Sequence, residues 1–210
     1  ELEVALAPAL PWLEMIATFE ACDAGLDFCR VLHADSPGIV KKQLAFMAAP
    51  IPDYFTSLAE YLPQGCHAAL MLVLESSEGA VRELIAAHGG VVTYRKTMAE
   101  AKASKRTLIE YCWNHTTLQA LKVDKNLTYI QSRFDPARAL EQVRALEGAL
   151  APEVMMHVEF IRLTNGAYTC SGLQIVRYTS DERLEQIMQI YRDHGALINN
   201  PHVYIPEAGG

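Results

Sequence analysis

The sequence predicts an α+β fold in which two similar halves in tandem form one broad antiparallel sheet with helices on one face. Three observations predict it. The second half of the chain reads strand, helix, strand, strand, helix, strand, and the first half repeats that order in outline. Between the two middle strands of the second half stands Thr164-Asn165-Gly166, and Asn-Gly is the strongest short hairpin signal a sequence can carry. This order is that of a ferredoxin-like unit. The expected division is a first ferredoxin-like half over 1–97, a connection over 98–126 and a second half over 127–210.

Taken in order, residues 2–6 form a short strand candidate, and 10–22 carry helical spacing through Leu13, Ile16, Ala17 and Phe19, ended by Gly25. Residues 26–33 then read as a strand, followed by the turn cluster Ser36-Pro37-Gly38. No clear period marks 39–52, whereas 54–61 predicts a short helix closed by Leu62-Pro63 and 68–74 a strand. Ser76-Ser77-Glu78 offers a helix N-cap, with Val81, Leu84, Ile85 and His88 at helical spacing up to Gly89-Gly90. A strand over 91–94 completes the half, and 96–106 is an exposed helix or linker with a solvated basic face at Lys102, Lys105 and Arg106.

The second half is plainer. Residues 127–134 predict a strand, Asp135-Pro136 an N-cap and first helical residue, and the helix runs to about Leu150, with Pro152 closing the loop behind it. Alternating strands over 154–163 and 168–178 flank the hairpin turn. Ser180-Asp181-Glu182 caps a helix to His194-Gly195, and 203–205 is a last short strand.

Composition narrows the class. Of 210 residues 50% are hydrophobic and 20% charged, which fits a folded globular chain and excludes a disordered or low-complexity one. With 18 Lys and Arg against 25 Asp and Glu the net charge is -7, so the basic footprint of a nucleic-acid binder is missing. The longest apolar run, 66–74, is about half of what a membrane helix needs. The five cysteines are scattered without metal-ligand spacing, so no metal site is expected and they read as reduced core thiols of a cytoplasmic protein. The start at Glu1 and the stop at Gly210 predict a piece of something longer.

A two-residue turn centred on Asn165-Gly166 pairs Thr164 with Ala167 and His157 with Gln174. Alternation then puts Met156, Val158 and Phe160 with Ser171, Leu173 and Ile175 under the helices. The helix-free face carries His157 and Glu159 with Tyr168, Cys170, Gly172 and Gln174. That face is where a ligand is expected. A one-residue slip exchanges the faces.

The segment Thr107-Leu-Ile-Glu-Tyr-Cys-Trp-Asn-His-Thr-Thr-Leu-Gln-Ala-Leu121, followed by Leu127-Thr-Tyr-Ile-Gln131, resembles the cap region of FAD-linked oxidases of the vanillyl-alcohol oxidase and p-cresol methylhydroxylase superfamily. Gly195-Ala-Leu-Ile-Asn-Asn-Pro-His202 is similar to that family's closing segment. The resemblance implies a single cap-like substrate domain over 1–210, whose helix-free side lies over the flavin ring. It also implies FAD bound mainly by an N-terminal domain of the same polypeptide, since no glycine-rich pyrophosphate loop stands in this chain. The function so implied is the substrate-binding cap of an FAD-dependent oxidoreductase that oxidises an alcohol or phenol by hydride transfer to flavin, the chain alone being inactive. Trp113 is followed by Asn114-His115-Thr116-Thr117 rather than an arginine, which favours a neutral or phenolic substrate over a 2-hydroxy acid.

The candidate residues follow. His157 and Glu159, alternate on one strand, place an imidazole and a carboxylate over one point, the pairing a proton acceptor needs; the plainer reading is a hydrogen-bonded pair on a sheet. Tyr111, Trp113 and His115 alternate on an extended chain and suit an aromatic substrate wall, against plain packing. Gln174, Arg177 and Tyr178 are candidate substrate contacts, Arg177 otherwise being a strand-end charge. Asn200 and His202 are candidate cofactor-side contacts. The partners expected are a small-molecule substrate and the flavin domain, with a homo-oligomer allowed and neither nucleic acid nor membrane. The rival from another class is a non-catalytic ferredoxin-like module for small-molecule binding or dimerisation; a third is a cofactor-free enzyme built on His157 and Glu159.

Overall fold

The structure is a computed structural model that describes residues 10–135 and 137–199, with Asn199 described in its backbone alone. The first half runs β1 (Trp12–Phe19), α1 (Cys22–Arg30), β2 (Lys41–Met47), β3 (His67–Leu74), α2 (Glu78–Ala87) and β4 (Val91–Thr97). The connection holds α3 (Met98–Ala103), a 3-10 turn (Leu108–Tyr111) and α4 (Asn114–Val123). The second half runs β5 (Leu127–Arg133), α5 (Ala139–Leu150), β6 (Val154–Met155), β7 (His157–Arg162), β8 (Tyr168–Arg177), α6 (Asp181–Asp193) and β9 (Leu197–Asn199).

These strands make one nine-stranded antiparallel sheet in the order β4-β1-β3-β2-β7-β8-β5-β9, with β6 also paired to β8. With β6 and β7 counted as one strand interrupted at Met156, since both pair with β8 in one register, each half presents its fourth, first, third and second strand from the edge inward, and the halves meet through their second strands at β2 and β7. Three rungs join them: Ala45 opposite Glu159, Phe46 opposite Val158 and Met47 opposite His157. The fold class is therefore α+β with doubled ferredoxin-like topology, as the sequence predicts.

Helices α1, α2, α5 and α6 pack on one face over a continuous core that includes Phe28, Phe46, Val158, Leu146 and Tyr191. Burying each such side chain contributes roughly 2 kcal/mol. The opposite face is not bare. A second core, with Met47, Ala68, Leu70 and Ile175 on its strand side, is covered by the 3-10 turns at Ile51–Tyr54 and Thr56–Tyr61, the turn at Leu108–Tyr111, and α4.

Several expectations shift. Residues 12–19 form a strand, not a helix, because Leu13 through Phe19 are buried on both faces of the sheet; the polar gaps that mark a half-exposed strand are absent. Residues 22–30 form a helix, not a strand: Leu26 and Cys29, three apart, both face the core. The strand β2 lies in the stretch without a clear period. Ser77 stands at the α2 N-cap but makes no cap bond; its hydroxyl accepts the Val40 N–H at 3.2 Å instead. Helix α5 begins at Ala139, after a turn in which Asp135 Oδ1 accepts the Ala137 N–H. The candidate strands over 2–6 and 203–205, and Pro136, lie outside the described residues.

The hairpin register is corrected by one residue. Leu163 pairs with Ala167 across the three-residue loop Thr164-Asn165-Gly166, and Gly166 takes the left-handed conformation at φ 85° that this loop requires. Val158 thus stands opposite Gly172 and Glu159 opposite Ser171. Met156 and Val158 do face the helices, but Cys170, Gly172 and Gln174 join them there, while Ser171, Leu173 and Ile175 share the face of His157 and Glu159.

Candidate functional site

His157 and Glu159 are brought together. His157 Nε2 lies 2.9 Å from Glu159 Oε1, and both side chains are fully buried, at 0% and 1% exposure. A carboxylate inside a protein needs donors to replace water. The same Oε1 accepts the backbone N–H of Trp113 at 2.7 Å. His157 Nδ1 is buried and, among the described residues, finds no hydrogen-bond partner.

Trp113 is the unusual residue. It precedes the first turn of α4 at φ 55° and ψ −139°, a conformation that non-glycine residues avoid and that costs about 1–3 kcal/mol. The Glu159 carboxylate holds it there. The residue remains 39% exposed. Tyr111 is buried, its hydroxyl bonded to Ser57 and its carbonyl accepting the Thr116 hydroxyl at 2.6 Å. His115 is exposed on the first turn of α4. The expected extended alternation of 111, 113 and 115 does not form, because a 3-10 turn and a helix begin on either side of Trp113.

Sequence reasoning missed the other residues that shape this face. Glu14, 2% exposed on β1, accepts the Leu108 N–H at 2.9 Å and the Tyr94 hydroxyl at 3.3 Å. Burial raises its pKa above the ordinary carboxylate value, and the Leu108 N–H and Tyr94 hydroxyl offset part of that rise. Burial and then Glu14 push the Tyr94 phenol up in turn. The available signal was a lone acid in an apolar run, concealed when the run read as a helix. Cys112, fully buried beside the turn, donates to the Leu108 carbonyl at 3.4 Å, and burial with the Glu159 charge holds its thiol well above the usual range. Such a thiol is no nucleophile.

The remaining candidates lie elsewhere. Gln174 is buried under the helices, its amide exchanging hydrogen bonds with the Ser132 hydroxyl at 2.9 and 3.1 Å over Gly172. Arg177 reaches Tyr54 at 3.3 Å and Asp124 at 3.8 Å, while Tyr178 donates to Asp181 at 2.9 Å, so the two are not paired with each other. Asn200 and His202 lie outside the described residues. Gly89-Gly90 has a structural use: Gly89, at φ 70°, ends α2, and Phe19 fills the space where a side chain on Gly90 would stand. His88 and His194 each contact the carbonyl four residues back at 2.8 Å, closing α2 and α6 alike.

No protein-family model matches the chain, and no curated protein matches it. Solved structures do. In one crystal form of alkyldihydroxyacetonephosphate synthase the match covers 90% of this chain with a TM-score of 0.54 at 7% identity. A second crystal form gives a TM-score of 0.56 at 6% identity. The chain shares this fold. It spans about two fifths of the synthase's length, 40% and 41% in the two forms. At such identity the likeness to the synthase is one of fold, and the doubled sheet is what the two have in common. Among the described residues no helix is long and apolar enough to cross a membrane, and no group of three His, Cys, Asp or Glu is placed to hold a metal ion.

Proposed function

We propose that the chain is the substrate-side cap unit of an FAD-dependent oxidoreductase acting on an alcohol or phenol. One observation carries the reading. Within the segment that resembles the cap of FAD-linked oxidases, Trp113 is held strained and half-exposed by a buried carboxylate, and strain supported in this way gathers at functional sites. The fold shared with alkyldihydroxyacetonephosphate synthase, a relative of that superfamily, supports it.

The described residues fit a role beside substrate rather than one that holds FAD. They contain no glycine-rich cradle for a pyrophosphate, since Gly89-Gly90 serves α2 and Phe19. FAD in this reading is held by another domain of a longer polypeptide. Trp113 and His115 are the groups presented outward. His157 and Glu159 stand behind them as positioning residues, because their complete burial closes them to a substrate until the Trp113 turn moves.

The test is the visible spectrum of the full gene product, followed by anaerobic mixing with benzylic alcohols and phenols. Bound flavin bleached by one of them, and a Trp113→Ala variant with lost or altered bleaching, is the expected result. A colourless protein would overturn the reading and leave the ligand-binding module.

A further inference from the structure

We propose a second site, independent of the flavin reading: an anion-binding cleft at the seam between the two half-sheets that takes a phosphate monoester carried on a small apolar body. The ladder between β2 and β7 stops at Ala45 and Glu159, although β2 begins at Lys41 and β7 continues to Arg162. Beyond the last rung the strands part, and a cleft of about 290 Å³ opens between them. Lys41, Lys42 and Arg162 line it together with His33, Phe160 and Tyr168.

The charge pattern there differs from that of the helices. In a chain of net charge -7, the arginines of α1, α2, α5 and α6 all stand within 4.0 Å of a carboxylate. Among the described residues no Asp or Glu lines the cleft, and Lys41 stands close enough to Arg162 to feel its charge. Burial and the Arg162 charge both lower the Lys41 pKa, and Lys41 and Arg162 in turn help burial to lower that of His33. Cations kept close without a counter-charge repel one another, and a dianion removes that repulsion.

The walls define the rest of the ligand. His33, buried, is fixed by a 2.9 Å hydrogen bond from Nε2 to the Ile161 carbonyl. Its ring meets Tyr168 edge-on at 4.7 Å and Phe160 at 5.6 Å, and the Arg162 guanidinium lies 5.4 Å over the Tyr168 ring. Aromatic edges and the apolar Ile39 and Leu44 thus border the cationic mouth. A planar guanidinium beside an ammonium is the usual donor set for a phosphate.

The experiment is titration of the purified protein with phenyl phosphate, followed by calorimetry or amide chemical shifts, with inorganic phosphate and benzoate as comparison probes. Phenyl phosphate is expected to saturate, to bind at least about tenfold tighter than benzoate, and to weaken as salt rises. Lys41→Gln and Arg162→Gln should each cost about tenfold or more, Lys41→Arg should restore most of the loss, and Arg192→Gln, ion-paired to Glu185, should change nothing. Tighter binding of phenyl phosphate than of inorganic phosphate assigns the apolar walls to the site. The proposal is overturned by absence of saturation up to about 10 mM, or by binding indifferent to both cleft variants. Neither outcome bears on whether the full protein carries flavin.

Discussion

Glu14 and Glu159 clamp the two ends of one 3-10 turn: Glu14 accepts the Leu108 N–H at its start, and Glu159 accepts the Trp113 N–H just beyond its end. The two acids belong to different half-sheets, on β1 and β7. The connection between the halves is therefore fastened to both of them by buried carboxyl groups.

Removing one clamp leaves buried donors unsatisfied. Glu159→Ala is expected to destabilise the fold by about 1–3 kcal/mol, and Glu159→Gln by less, since an amide oxygen still accepts the Trp113 N–H. Urea unfolding measures the cost. In a Trp12→Phe background the emission of Trp113 should also shift as its turn loosens; an unchanged spectrum would show that the carboxylate does not hold Trp113.

Trp113→Gly tests strain directly. Glycine adopts a positive φ freely, so the backbone should gain up to about 1 kcal/mol while the exposed ring is lost. Stability is expected to hold or rise as substrate-dependent flavin reduction disappears. A clear loss of stability would mean that the ring serves packing.

Gly172 lies under the Ser132 and Gln174 side chains, and a methyl group there meets both. Gly172→Ala should break their mutual hydrogen bonds and cost about 1–3 kcal/mol, read from the urea midpoint. Gly79→Ala, on the open surface of α2, should be neutral or stabilising.

Acid should weaken the fold through His67 and His33. Burial lowers both pKa values from the ordinary 6.5, so unfolding takes up protons. Their stabilising contribution is complete above 6.5 and is lost as pH falls through the lowered folded values. His67 Nδ1 accepts the Ala49 N–H at 3.1 Å, a bond that protonation there destroys. His67→Asn supplies an oxygen that accepts at any pH and should flatten part of the fall; an identical pH profile in the variant would exclude His67.

Glu14 acts in the opposite sense. Its folded pKa is raised, so its contribution is present below 4.5 and lost as pH rises through the folded value. Glu14→Gln should therefore gain on the unsubstituted protein at about pH 7 relative to about pH 4, as pairwise urea titrations would show.

The second half of the fold was legible because its elements are amphipathic and its turns carry their own chemistry. Ser180 does cap α6, and Asn165-Gly166 does turn the hairpin. The first half was legible in order but displaced along the chain. The central strand β1 lacks an exposed face, so period could not tell it from a buried helix. Lys41 and Lys42 masked the start of β2. The pairing of His157 with Glu159 follows from alternation alone and holds in either register. Their neighbours on β8 depended on whether the loop has two residues or three, and Asn-Gly permits both. Contacts between the connection and the sheet, such as Glu14 with Leu108, join residues far apart in the chain and leave no local trace.

The three-rung seam between β2 and β7 has a consequence for solubility. Either half-sheet alone would end on a strand whose Ala45-Phe46-Met47 or His157-Val158-Glu159 edge offers unpaired backbone beside apolar side chains, the pattern that recruits foreign strands. Joined, the halves silence each other's edge. The outer strand β4 instead carries Arg95 within an ion-pair network to Glu78 and Glu100, a charged border that discourages further pairing. A cut between the halves should therefore release two aggregating pieces rather than two small folded ones.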